Sequence, residues 1–171
     1  MTDHQSTPTS VQSPDFWAGM DPDLQCQDPA LKEIHAYWNQ KRGDRPFPSR
    51  RDIDPMDLKP QLGNLILIDV EHDPLRLRYR LIGTRITAIM KRDVTKKYYD
   101  EVYPDEVLDS IYRSFEWMIE HGKPIRTCGK SLYPDLNFYA YEALHLPLSS
   151  DGTVIDMVLG GLVNHPIDEP R

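Results

Sequence analysis

Cysteine is scarce in this chain: Cys26 and Cys128 are all it has. They lie far apart and outside any metal-ligand spacing, and Cys26 sits in a polar stretch. Two free thiols in a reducing compartment are therefore expected rather than a disulfide. Long apolar runs are missing too. No segment comes near the roughly 20 apolar residues of a membrane span, and the opening MTDHQSTPTS lacks the basic and apolar regions of a signal peptide. A soluble, cytoplasmic protein without membrane attachment is the expectation. Positive charge is in deficit: 20 Lys and Arg against 27 Asp and Glu leave a net charge of −7. That argues against nucleic acid as a partner, because such binding is driven by phosphate contacts. The six histidines form no zinc pattern with cysteine. A glycine-rich phosphate loop and a nucleophile elbow are absent as well. The chain is expected to be no enzyme and to hold no metal.

What is present reads as one domain with tails. Residues 1–27 are polar and rich in Ser, Thr, Pro and Gln; they cannot bury enough apolar surface to offset ordering and are expected to form a flexible tail. Residues 28–165 form the domain and 166–171 a C-terminal tail. Asp28-Pro29 opens a helix, 28–43, with a cap residue followed by proline in the first turn. Gly43 ends it after Lys41 and Arg42, cations placed at the negative end of the macrodipole. Leu31, Ile34 and Trp38 share one face, an apolar stripe that must cover a sheet or a second copy of the chain. A short helical stretch follows at 56–62, then two strands joined through His72-Asp73-Pro74. One short helix lies within 84–99, with Ile86, Ile89 and Met90 as its apolar residues, and a longer one spans 104–121, ended by Gly122. Three strands, 125–132, 138–148 and 154–163, are separated by PDLN and SSDG turns. This order is that of an α+β layer, an antiparallel sheet with helices packed on one face.

The stretch LRLRYRLIGT, 75–84, alternates with a period of two. Leu77, Tyr79 and Leu81 fall on one side of the strand, Arg76, Arg78 and Arg80 on the other. The arginines either solvate the sheet, pairing across strands with Glu71 or Asp69, or dock an acidic partner. The strand 138–148 offers a choice of faces. Phe138, Ala140, Glu142, Leu144, Leu146 and Leu148 are the more apolar set and are expected to face the helices and any cleft, with Tyr139, Tyr141, Ala143, His145 and Pro147 opposite. Glu142 is the exception on the apolar face. A buried carboxylate needs a partner: it is either a polar anchor for a ligand or half of an ion pair with Arg85 or Arg126. Gly160-Gly161 marks a close approach in the last strand. His121, next to Gly122, fits a helix-end cation rather than a haem ligand.

Several separate blocks agree in order and spacing with one family: YWNQKRG at 37–43, PSRRDIDPMDL at 48–58, LIDV at 67–70, RYRLIGT at 78–84, RDVT at 92–95, YE at 141–142 and LPLSSDGTVIDMVLGGL at 146–162. The chain resembles a PAS domain, of the family of short bacterial single-domain PAS proteins. The resemblance implies a five-stranded antiparallel sheet with a cleft between sheet and helices, where such domains commonly hold ligands or cofactors. It also implies sensing or regulation of a partner, usually through dimers. On that scaffold Tyr79, Ile86, Met90, Tyr98, Tyr99, Phe115, Glu142, Met157 and Leu159 are the candidates to line the cleft, and Leu31, Ile34 and Trp38 to form an interface. The expected partners are an unidentified small molecule, a signalling protein and a second copy of the chain; no particular cofactor is implied. The alternatives are a ligand-free adaptor and a small cavity enzyme with Glu142 as base. Relatives tend to carry glycine on either side of the RDVT block, where this chain has Lys91 and Lys97.

Overall fold

The computed structural model describes residues 20–130 and 139–167. The turn expected at 134–137 and the tail residues 1–19 and 168–171 lie outside them. In chain order the elements are β1 (Met20–Asp21), α1 (Pro29–Arg42), β2 (Leu65–Glu71), β3 (Arg76–Ile82), α2 (Thr84–Met90), α3 (Asp105–His121), β4 (Ile125–Lys130), β5 (Tyr139–Leu148) and β6 (Met157–Pro166), with 3-10 turns at Arg50–Asp52, Pro55–Asn64 and Tyr99–Glu101. The chain forms the expected α+β fold around an antiparallel sheet. The sheet has six strands rather than five, in the order β1-β4-β5-β6-β2-β3. Among the described residues no helix is long and apolar enough to cross a membrane.

The sixth strand comes from the stretch assigned to the tail. Met20 and Asp21 pair with Thr127 and Arg126 of β4. The Asp21 carboxylate then holds the following turn, accepting from the N–H groups of Asp23 and Gln25, and Cys26 is buried. Composition missed this segment because hydrogen bonds and an ion pair, rather than apolar area, hold residues 20–27 against the sheet. Both cysteines are free thiols.

Helix α1 starts and stops as its sequence dictates. Asp28 Oδ1 accepts from the Ala30 N–H at 2.7 Å, and Gly43 takes φ +58° at the C-cap, the left-handed region that favours glycine. Its apolar stripe lies on the sheet of the same chain. A Cβ at Gly161 of β6 would sit 2.7 Å from Leu31 Cδ2 and 2.9 Å from Ile34 Cδ1, and Trp38 donates its indole N–H to the Pro147 carbonyl at 2.9 Å. Leu31, Ile34 and Trp38 are thus core residues of the protomer rather than an interface, a correction to the sequence reading. Helix α3 packs over the other face through Ile111, Phe115 and Met118. Both faces of the sheet carry a helix, where one was expected.

The arginine strand contains a feature that alternation alone does not reveal. Leu67 pairs with Leu81 but Ile68 pairs with Tyr79, so Arg80 is an extra, bulged residue. Leu77 and Tyr79 stay buried, and the bulge turns Leu81 outward to 43% exposure. The arginines form a solvated network: Arg78 and Arg80 each reach Asp69 at 2.9 Å, and Arg76 reaches Asp100 at 2.7 Å. Tyr98 lies beneath Arg76, 3.5 Å from guanidinium to ring centre, and donates its hydroxyl proton to Glu71. β6 begins at Met157 rather than 154, because the Asp151 carboxylate gathers the N–H groups of Thr153 and Val154 into a turn first. The C-cap of α2 is Lys91 at φ +53°, and Lys96 takes φ +69°. The first flanks the RDVT block, and its backbone lies in the left-handed region that favours glycine.

Candidate functional site

Strand β5 decides the chemistry, because its two faces meet different neighbours. Tyr141 lies opposite Gly129 and Asn164, Ala143 opposite Thr127 and Leu162, and His145 opposite Ile125 and Gly160. Directly paired residues share a face of a sheet. Over this face come Ile111, Ser114 and Phe115 of α3, with Tyr99 and Tyr103 from the segment before it and Tyr79 from β3. Together they enclose a cavity. Its volume is about 70 Å³, which bounds an occupant to several waters or a small ring unless the walls move.

Aromatic contacts build the walls. The rings of Tyr79 and Tyr99 stack at 4.3 Å, Tyr99 meets the edge of Phe115 at 6.3 Å, and Phe115 lies 5.1 Å from the His145 ring. The hydroxyls of Tyr79 and Tyr103 hydrogen-bond at 2.7 Å. Four polar side chains break the apolar lining: Ser114, Thr127, His145 and Asn164, with the Tyr141 phenol beside them. Ser114 donates to the Ser110 carbonyl within α3. Burial raises the Tyr141 pKa, against a hydrogen bond with Thr127, so the phenol stays protonated.

His145 is the unusual member. Burial pushes its pKa down to about 4, so the ring is neutral at pH 7. Its Nε2 lies 3.5 Å from Thr127 Oγ1, at the limit of a hydrogen bond. Its Nδ1 is buried and has no hydrogen-bond partner among the described residues. An unsatisfied buried polar atom costs about 1–3 kcal/mol, and native proteins seldom leave one without a water, ligand or functional reason. The ring is part of the cavity wall, although this nitrogen itself is shielded from water-sized space.

The opposite face of β5 shows the reverse. Glu142 is 5% exposed, and its carboxylate accepts from Arg126 Nε at 2.8 Å and from the backbone N–H groups of Gln27 at 2.7 Å and Asp28 at 3.0 Å. Arg126 also reaches Asp21 at 3.2 Å. Burial opposes the charged carboxylate, but the Arg126 guanidinium and the two N–H groups outweigh it and hold the Glu142 pKa below the usual range. This is a buckle fastening residues 20–28 to the sheet, and the ion-pair reading of Glu142 holds with Arg126 as partner.

Of the expected lining residues, Tyr79, Tyr99 and Phe115 meet at the cavity. Ile86 borders a neighbouring recess beside α2. Met90 is buried on α2 and borders neither space. Tyr98 lies outside, with the arginines. Glu142, Met157 and Leu159 pack toward α1, since Leu148 pairs with Met157 and Leu146 with Leu159. The apolar set of β5 does meet a helix, but it is the tightly packed one. The sequence reading passed over Thr127, Tyr141, His145 and Asn164. Its signal was available: two strand positions carrying a phenol and an imidazole on the face judged polar.

A sheet sealed by one helix on one side and holding an aromatic cavity under another helix has the form of a small-molecule pocket. The family model of the PAS domain matches residues 26–163, and the chain belongs to the PAS domain family. No curated protein and no solved structure matched it. The match begins at Cys26, within the segment that the Glu142 buckle holds to the sheet.

Proposed function

We propose that this PAS domain is a non-enzymatic cytoplasmic sensor that takes a small, largely apolar molecule into the aromatic cavity and acts through contacts with a signalling protein and a second copy of itself. The observation that carries the reading is the His145 ring, part of the wall of a cavity lined mainly by aromatic and aliphatic side chains, with an Nδ1 that has no hydrogen-bond partner among the described residues. A neutral ring carrying one hydroxyl, which can donate to the imidazole or accept from it, satisfies both properties of the space. The enzyme alternative draws no support from Glu142, which is spent on Arg126 and two backbone N–H groups on the far side of the sheet. The partner contacts rest on the family alone, and light scattering of the purified chain tests the dimer.

The cavity is tested by thermal shift with phenol, indole and 4-methylphenol on the wild type and on Ala143→Leu, which puts a larger side chain into the space. The wild type is expected to gain melting temperature saturably with at least one of these compounds and the variant to gain none. No shift in the wild type, or equal shifts in both proteins, contradicts the reading.

A further inference from the structure

The pairing of β2 with β6 ends at Leu65 opposite Gly161, so residues 162–166 run on without β2 beside them. The turn Pro55–Asn64 and helix α2 stand off this edge, and a second recess opens between. Its volume is about 190 Å³, with Asn64, Arg85, Ile86, Asp28 and His165 on its walls. Leu162 and Asn164 border it and the aromatic cavity alike. The two spaces are therefore neighbours across one pair of side chains.

Arg85 gives this recess its charge. The arginines of β3 and Arg126 are all in ion pairs; Arg85 makes none among the described residues. Its Nη1 reaches only two neutral oxygens, Asn64 Oδ1 at 3.3 Å and the Pro60 carbonyl at 3.4 Å. Its Nε and Nη2, the side of the fork that pairs bidentately with a carboxylate, bond to no described residue. The backbone holds the stem instead. A Cβ at Gly63 would lie 2.7 Å from Arg85 Cγ, and one at Gly83 would lie 2.3 Å from the Gly63 carbonyl oxygen. Two glycines thus bring the turn and α2 together and let the stem of the exposed Arg85 lie over Gly63. The carboxylate of the recess, Asp28, is otherwise engaged: Oδ1 caps α1 and Oδ2 faces His165 Nε2 at 3.3 Å.

We propose that the cavity and the recess form one site for a small organic monocarboxylate, its apolar body against the aromatic rings and its carboxylate on Nε and Nη2 of Arg85. This rests on the cavity reading above and adds the head group. The cavity itself offers no cation, since His145 is neutral there, so charge must be met outside it. Asp28 on the same wall disfavours a dianion more than a monoanion, which favours a carboxylate over phosphate.

Calorimetry on the full chain at neutral pH separates the possibilities, with phenylacetate and hexanoate as acids, 2-phenylethanol and hexanol as their neutral analogues, and inorganic phosphate. The acids are expected to bind saturably and the alcohols about tenfold more weakly or worse. Arg85→Met keeps the stem over Gly63 and should bring the acids down to the alcohols while leaving alcohol binding and melting temperature unchanged. Arg85→Lys, which keeps charge without the fork, should fall between. Acids that bind no better than alcohols, or that ignore Arg85→Met, overturn the head-group assignment and leave the cavity reading standing. Phosphate binding as tightly as the acids overturns it too, as an anion site without an apolar body. No binding by any of the compounds overturns both.

Discussion

The two faces of the central sheet bury polar groups in opposite ways. Toward α1, Glu142 and Arg126 are charged, enclosed and fully engaged, and the packing is close enough that Gly161 has no room for a methyl group. Toward α3, Thr127, Tyr141 and His145 are neutral, surround open space, and leave His145 Nδ1 without a partner. The first arrangement spends its polar chemistry on holding the chain together. The second holds chemistry in reserve, at some cost in stability. A buried polar residue indicates a site when its bonding is incomplete beside a cavity, and indicates structure when its bonding is complete.

The largest expected effect is at the engaged face. Glu142→Ala leaves Arg126 buried beside an empty place and frees the N–H groups of Gln27 and Asp28, so urea unfolding should show a loss of about 3 kcal/mol or more. His145→Leu removes a ring nitrogen that has no partner, and should cost about 1 kcal/mol or less. Comparable losses in the two variants would erase the distinction between the faces.

Acid should take the two faces apart at different pH. The His145 pKa is lowered from 6.5 to about 4, so between these values the unfolded chain binds a proton that the folded chain refuses. Stability therefore falls as pH drops through that window, by up to roughly 1.4 kcal/mol per pH unit from this group. His35, also lowered by burial, adds in the same direction, so the measure is the difference between wild type and His145→Gln, whose slope should be shallower. Glu142 works lower down. Its folded pKa is held below the usual glutamate value, so its contribution is complete above that value and is lost only as pH falls through the depressed pKa. An unchanged slope between pH 6.5 and 4 in His145→Gln would contradict a neutral imidazole in the folded chain.

Two glycines side by side sharpen the contrast in packing. Gly161→Ala meets Leu31 and Ile34 at 2.7 and 2.9 Å, whereas Gly160→Ala, on the cavity face, meets Ile66 Cβ at 3.3 Å. The first should cost about 2 kcal/mol by overpacking, and the second less; calorimetric melting decides the order. The smallest effect lies away from both faces. Lys91→Gly relieves a left-handed residue and should stabilise the chain by up to about 1 kcal/mol, readable as a higher urea midpoint.

Much of this fold was legible because its local rules are strong. Asp28-Pro29 and Gly43 delimit α1, and the alternation of 75–84 does mark β3. The site was less so. Apolar alternation on β5 correctly identified a face that meets a helix, but it cannot tell which of two helices packs tightly and which stands off a cavity. Tyr79, Tyr99 and Phe115 were found because they are large and inward, while His145 and Thr127 were not, because a polar residue facing a cavity looks in sequence like one facing water. Residues 20–27 were taken as tail because what fixes them is a carboxylate 114 and 115 positions away from the N–H groups it holds, and the Leu81 reversal followed from a bulge that the β3 sequence does not announce.

The central claim, that the unsatisfied face is the ligand site, is tested most directly by nuclear magnetic resonance of protein carrying ¹⁵N-labelled histidine, titrated with phenol at pH 7. Phenol supplies one ring to fill the space and one hydroxyl that can bond to the imidazole. The account predicts a saturable change in the His145 Nδ1 resonance as it gains a hydrogen bond, with the methyl resonances of Leu31 and Ile34 on the α1 face unmoved. A His145 signal that stays still while phenol saturates the protein, or a response confined to the α1 face, would contradict it.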